Sequence, residues 1–83
     1  MKFLRKDLLF HYDEKLQMYV TRVPMSDEQY AFTESELYLI ENISQKYQKL
    51  VLITKHNSRF HSNLSISEFD EFLNILEKKN MLT

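Results

Sequence analysis

The chain has 83 residues, of which 43% are hydrophobic and 28% charged, and its formal net charge is −1. This length allows one domain with one core, which is expected to bury only about 60% of the unfolded surface. The near-zero net charge gives no overall attraction to nucleic acid. There is no cysteine, which excludes disulfides, thiolate zinc sites and a cysteine nucleophile.

The apolar segments are short. The longest purely apolar run is Leu50-Val51-Leu52-Ile53, far too short to cross a bilayer. The start of the chain, residues 1–7, has one apolar pair between charges and lacks the apolar core of a signal peptide. Because small secreted domains usually need disulfides, we expect a cytoplasmic protein without a membrane partner.

The chain also contains no glycine. Phosphate-cradling loops and dinucleotide-binding turns need glycine where the backbone approaches the ligand or takes a positive φ. Neither can be built here in the usual way, and we expect no cofactor. Turns are expected to use Asp13, Asn57, Asn63 and the serines instead.

The first predicted element is a β-hairpin. In residues 8–12, Leu8, Phe10 and Tyr12 alternate with Leu9 and His11, which is the period of two expected for a strand. Residues 16–23 resume this alternation after a polar break at Asp13-Glu14-Lys15. Pro24 cannot donate to a strand ladder and ends the second strand. A connector over residues 25–28 follows.

A third short strand is predicted from Gln29 to Phe32. The next residues open a helix, because the Thr33 hydroxyl can accept from the amide three residues on while Glu36 reaches back to the Thr33 amide. Apolar residues at helical spacing extend this helix over roughly 34–46.

Residues 48–56 are ambiguous, since their β-branched residues favour a strand but a short buried helix would look much the same. Turns are predicted at Asn57-Ser58 and at residues 61–63. Ser65 and Glu68 then form a second capping box, which opens a helix over roughly 66–79.

This last helix carries a wide apolar face. At 100° per residue, Phe69, Leu73 and Leu76 form the centre of the stripe. Phe72 and Ile75 lie together on one flank, with Glu68 and Lys79 beside them. Two interpretations remain open: either the whole face is core, or Phe72 and Ile75 line a groove between the helix and the sheet.

The element order predicts an α+β fold in which a three-stranded antiparallel sheet, an N-terminal hairpin plus a third strand, packs against two or three helices in a winged-helix-like arrangement. Several segments carry a family resemblance: Leu8-Leu9-Phe10, Met18-Tyr19-Val20, Pro24, Tyr30-Ala31-Phe32-Thr33 leading into Leu37-Tyr38-Leu39-Ile40, and residues 67–82. In this pattern, almost the whole chain resembles a PqqD-type domain, also called a RiPP recognition element. The family usually has a glycine where Asn80 stands and a clear second helix where residues 48–55 read as β-rich.

The resemblance implies a partner and a binding mode. In such domains the leader segment of a ribosomal precursor peptide adds as an extra strand beside the third strand, and a separate modifying enzyme carries out the chemistry. It places the peptide on the edge strand Tyr30, Ala31, Phe32 and Thr33, with Phe72 and Ile75 as the groove wall and Lys79 near the rim. The oligomeric state is left open.

Two other classes of binding protein remain as alternatives. A winged-helix regulator would meet phosphates through a central basic segment: Lys46, Lys49, Lys55, Arg59 and the adjacent His56. The closing helix disfavours this, because residues 66–83 carry four acidic and two basic side chains. A small phage-type or antitoxin-type protein that inhibits another protein by direct binding is the second alternative.

Catalysis is not predicted. The three histidines are His11, His56 and His61, and the last two are five residues apart, which suits neither helical nor strand-like metal-ligand pairs. No spacing of serine and aspartate indicates a nucleophile with its base. We therefore expect a binding module without catalytic or metal-binding residues.

Overall fold

The computed structural model describes residues 3–26, 28–43 and 46–82. An antiparallel sheet of order β1-β2-β3 is followed by three helices. This confirms the predicted α+β class and its three-stranded antiparallel sheet. The elements are β1 Phe10–Asp13, β2 Met18–Arg22, β3 Gln29–Phe32, α1 Glu34–Ile43, α2 Lys49–Phe60 and α3 Ile66–Lys78.

The hairpin turn lies slightly later than the sequence pattern predicts. β1 extends to Asp13, whose carboxylate accepts hydrogen bonds from the backbone N–H groups of Lys15 and Leu16 at 2.9 and 3.1 Å. Gln17 closes the turn at a φ of 54°. The prediction that Leu16 belongs to the second strand is wrong, because these bonds hold it in the turn, where it is 57% exposed.

The third strand has the predicted bounds, Gln29–Phe32. It is preceded by a connector in which Met25 takes a φ of 63° and the Ser26 hydroxyl accepts from the Glu28 N–H at 3.1 Å. Asp27, in the same predicted connector, lies outside the described residues. A serine side chain therefore stabilises this connector, as expected. The connector also contains a residue with a positive φ, Met25, that is neither Asn nor Asp.

Both predicted capping boxes are present. The Thr33 N–H donates to the Glu36 carboxylate at 2.9 Å at the start of α1, and Ser65 and Glu68 make the reciprocal bonds at the start of α3. The helix predicted over 34–46 is shorter, since α1 is assigned as Glu34–Ile43 and Lys46 is not helical. Residues 44–45 of that prediction lie outside the described residues.

The ambiguous segment is a helix. α2 runs from Lys49 to Phe60, so the predicted turn at Asn57-Ser58 is wrong. Asn57 does act on a turn, but through its side chain, whose amide makes two hydrogen bonds with the backbone of Leu64 at 2.9 and 3.1 Å. His61 ends the helix in the left-handed region, at φ 51°, which confirms the turn predicted from that residue onward.

The hydrophobic core lies between β3 and the three helices. Leu52 and Ile53 of α2 are buried in this core. Their burial explains why this segment is apolar, a property that by itself fits a strand and a helix equally well. No helix in the described part of the chain is long and apolar enough to span a membrane. The buried cluster consists of Leu8, Val23, Phe32, Leu39, Ile40, Ile43, Leu52, Ile53, Phe69, Leu76 and Met81.

The two ends of the chain lie side by side. Leu4 and Leu82 form an isolated antiparallel bridge, and the Arg5 N–H donates to the Met81 carbonyl at 2.9 Å. Asn80 makes the required turn at φ 60°. Asparagine tolerates this left-handed conformation, so it can take the place of a glycine here.

Candidate functional site

β3 is an edge strand. Within the described residues it pairs with β2 and with no other strand. In an antiparallel strand, every second residue directs its N–H and C=O away from the partner, so β3 presents free backbone groups on its outer side. Tyr30 and Phe32 pack toward the core, whereas Gln29 and Ala31 are exposed.

α3 lies beside this edge and contacts β3 at two points. The Phe72 ring meets the Phe32 ring edge-to-face, with centroids 6.5 Å apart. The ammonium of Lys79, just past the end of α3, lies 3.9 Å from the centroid of the Tyr30 ring. As the strand advances from Tyr30 to Phe32, the contacts move back along the helix, so α3 runs antiparallel to β3.

Phe72 and Ile75 differ in burial. Phe72 is half-buried and packs against the core, whereas Ile75 is 41% exposed and does not join the core cluster. Leu73, predicted at the centre of the apolar face, is only half-buried, while Phe69 and Leu76 are fully buried. Part of the wide apolar face is therefore core, and Ile75 is an apolar side chain exposed to solvent.

Phe72 and Ile75 also line a cavity of about 400 Å³ between α3 and α1, which we name the α1/α3 cleft. The sequence placed the groove between α3 and the sheet, but no β3 residue lines this cleft. The reason is that the Phe72 ring contacts Phe32 and occupies the space between helix and strand. The other lining residues are Ser35, Glu36, Leu39, His56, Ser62, Leu64, Glu68 and Glu71.

These additional residues were not predicted as site residues. The sequence pattern assigned Glu36 and Glu68 to helix caps, which they form. Nothing in the spacing indicates that the first turn of α1 approaches the flank of α3. That approach depends on how the helices pack, which a single sequence does not show.

Tyr30 and Lys79 form one end of the strand–helix contact. The Tyr30 hydroxyl donates a hydrogen bond to the Glu28 carboxylate, and this bond raises the pKa of Tyr30 above its ordinary value of 10.0. The Lys79 cation over the ring gains a cation–π contact. Lys79, predicted near the rim, is thus tied to the edge strand itself.

Thr33, at the other end, offers no free N–H to an added strand. Its N–H donates to the Glu36 carboxylate at 2.9 Å, and its carbonyl accepts from the Leu37 N–H at 2.9 Å. Both backbone groups are therefore occupied by the start of α1. The backbone available to a peptide ends at Phe32, one residue earlier than the sequence predicted.

Two members of the central basic segment have partners within the domain. Lys49 forms an ion pair with Asp70 at 2.7 Å. Arg59 lies over the Tyr38 ring, with its guanidinium carbon 5.3 Å from the ring centroid.

The remaining members are separated by burial. His56 is only 4% exposed, in contact with the rings of Tyr38 and Phe60. Lys46 and Lys55 line a different cavity, of about 290 Å³. Of the five residues of the basic segment, only His56 is therefore withdrawn from the surface.

A larger cavity, of about 860 Å³, lies at the chain ends. It is bordered by residues 3–7 together with Asn80 and Leu82, away from β3. Arg5 is engaged there by Asp7, in an ion pair of 2.8 Å. The Arg5 guanidinium also donates to the Asn80 carbonyl at 3.4 Å, so its charge is engaged by the chain itself, and size alone does not make this cavity the better candidate.

No group of three or more His, Asp or Glu side chains in residues 3–26, 28–43 and 46–82 could hold a metal ion. Comparison of the chain with models of protein families, with curated proteins and with solved structures found no match. The family resemblance therefore stays a prediction.

Proposed function

We propose that the chain is a non-catalytic, cytoplasmic peptide-binding module that captures an extended peptide by strand addition to β3. The expected ligand is the leader segment of a ribosomal precursor peptide, presented to a modifying enzyme. The observation that carries the proposal is the free edge of β3 with α3 running antiparallel beside it, fixed by the Phe32–Phe72 and Tyr30–Lys79 contacts.

The backbone of β3 sets the register of such a peptide. Two of the four residues in this strand direct their N–H and C=O outward, and each net hydrogen bond contributes about 0.5–1.5 kcal/mol. Association and ordering of the peptide oppose this gain. Backbone pairing alone therefore gives weak binding, and side-chain contacts must supply the rest.

Ile75 is the side chain best placed to supply them. It lies on α3 between the two contact points with β3 and is partly exposed. Alternate side chains of an added strand point to the same face of the sheet, so those on the helix side would approach Ile75. Burying this apolar surface contributes roughly 25 cal/mol per Å².

The first test uses linear ten-residue peptides selected from a display library for binding to the purified chain. With a selected peptide bound, amide exchange of the outward-facing residues within Gln29–Phe32 should slow, because new inter-strand hydrogen bonds protect them. The Thr33 amide should not change, since it already donates to Glu36. Protection confined to other elements, or failure to select any peptide, would contradict strand addition.

The second test compares two isoleucines of α3. Ile75→Ser should weaken binding of the selected peptide roughly tenfold or more, about 1.4 kcal/mol. Ile66→Ser is the matched control, because Ile66 is 49% exposed on the same helix and does not line the cleft. Melting curves verify that both variants are folded. Equal affinities of the two folded variants would show that Ile75 is not part of the site.

A further inference from the structure

The polar groups that line the α1/α3 cleft are mainly hydrogen-bond acceptors. It contains the carboxylates of Glu36, Glu68 and Glu71, and no lysine or arginine among the described residues lines it. Glu36 and Glu68 each use Oε1 in a capping box. Glu71 forms no hydrogen bond or ion pair with the described part of the chain. Three carboxylates thus line the cleft, and that of Glu71 has no partner among the described residues.

His56 supplies an independent observation, since its tautomer is fixed by its neighbours. Asn57 donates through Nδ2 to the Leu64 carbonyl and accepts through Oδ1 from the Leu64 N–H. Its Oδ1 can therefore only accept from the His56 Nδ1, which lies 3.0 Å away. Nδ1 consequently carries a proton and donates it to this bond, which leaves Nε2 as the second polar atom of the ring.

This second nitrogen has no hydrogen-bond partner among the described residues. In that part of the chain, every side-chain nitrogen or oxygen that is inaccessible to solvent has a hydrogen-bond partner. Nε2 must therefore reach open space, although His56 as a whole is only 4% exposed. The open space that His56 borders is the α1/α3 cleft. His56 is thus an almost completely buried residue with one accessible, unpartnered ring nitrogen, and it lines the same cleft as the carboxylates.

The walls between these acceptors are apolar, formed by Leu39, Leu64, Phe72 and Ile75. A ligand that matches this lining has an aliphatic stem and a cationic group that donates several hydrogen bonds. Lysine and arginine side chains combine these properties, since their stems pack on apolar surface while the charged head remains solvated or paired.

We propose that the α1/α3 cleft binds a lysine or arginine side chain of the captured peptide. This inference rests on the proposed function, because the cleft begins where β3 ends. The available edge stops at Phe32, and the first turn of α1, with Ser35 and Glu36, follows directly and lines the cleft. The peptide residue that passes the end of the strand places its side chain there.

The main experiment replaces single residues of one selected peptide. Each position in turn carries lysine, norleucine or glutamate, and affinities are measured by fluorescence anisotropy. At one position near the end of the paired segment, lysine should bind roughly fivefold tighter than norleucine, the ratio that about 1 kcal/mol gives. Glutamate should bind more weakly than norleucine. Equal affinity for lysine and norleucine at every position would overturn the inference while leaving strand addition intact.

Glu71→Gln tests the carboxylate that has no partner among the described residues. It should remove most of the preference for lysine over norleucine. Glu14→Gln is the control, because it changes net charge equally but lies in the β1–β2 turn and does not line the cleft. Loss of the lysine preference in both variants would show a general charge effect and contradict a specific cleft.

A small probe separates this inference from the proposed function. n-Butylammonium chloride should shift the amide resonances of Glu71 and Ile75 and the His56 Nε2 resonance. n-Butanol with sodium chloride should not. Magnesium chloride is a third arm, and stronger shifts with magnesium than with butylammonium would replace the proposal with a cation site. Butylammonium shifts together with unprotected β3 amides would support the cleft and contradict strand addition.

Discussion

α2 and α3 lie in the same small domain but are specified in different ways. α3 begins with the Ser65–Glu68 capping box, whereas the residue before α2, Gln48, makes no side-chain capping bond. α2 carries three basic residues and no acid, and α3 carries four acids and one lysine. Local hydrogen bonds thus mark the start of one helix, and nothing local marks the start of the other.

The difference shows what each helix depends on. Isolated helices of about this length are marginal in water, so α2 needs burial of Leu52, Ile53 and His56 in the core. The helices also meet across opposite charges, through the Lys49–Asp70 ion pair. α2 thus contributes core side chains and one cleft residue, His56, whereas α3 presents its remaining flank to the edge strand and the cleft.

The largest expected effect tests the packing that both helices share. Phe69→Ala removes a ring that is 0% exposed and should cost about 3–5 kcal/mol. That is a large part of the roughly 5–15 kcal/mol that stabilises a typical domain. Urea denaturation followed by circular dichroism measures the loss. An unchanged midpoint would mean that α3 does not hold the core together.

A smaller effect separates the helix starts. Ser65→Ala removes the capping hydroxyl that accepts from the Glu68 N–H at 3.1 Å, and it should cost about 1 kcal/mol. Gln48→Ala at the corresponding position before α2 should cost almost nothing, because its side chain makes no capping bond. Thermal melting of the two variants under identical conditions makes the comparison. Equal losses would show that the capping box is not what distinguishes α3.

The parts of the fold that sequence predicted are those determined by local chemistry. Alternation and Pro24 indicated the hairpin, and Thr33 and Ser65 marked two helix starts. α2 could not be decided, because its apolar run suits strand and helix equally and its choice of helix depends on the core. Asn57 was misassigned for the same reason, since its turn-forming amide acts from within a helix on Leu64, seven residues later.

The candidate site likewise has parts that depend on local sequence and parts that depend on tertiary packing. Edge strand β3 and the exposed flank of α3 could be predicted, because each depends on a short pattern. The capping role of Thr33 could be predicted, but only the structure shows that its N–H and its carbonyl are both hydrogen-bonded. His56 and Glu71 were missed, since their meeting in one cleft depends on the packing of α2 against α3.

The smallest expected effect is on the loss of unfolding free energy at acidic pH. Hydrogen bonds from the Ser65 backbone and side chain lower the pKa of Glu68 below its ordinary value of 4.5. The unfolded chain therefore binds this proton more readily, so the bonds stabilise the fold above pH 4.5 and are lost as pH falls through the lower folded pKa. α2 has no acid in its first turn and makes no such contribution.

Between neutral pH and about pH 3, Glu68→Gln should lose less stability than the unmodified chain, whereas Glu14→Gln, outside any cap, should follow it. Parallel curves of unfolding free energy against pH for the unmodified chain and Glu68→Gln would show that the capping carboxylate is not linked to folding, and that the two helix starts differ in geometry alone.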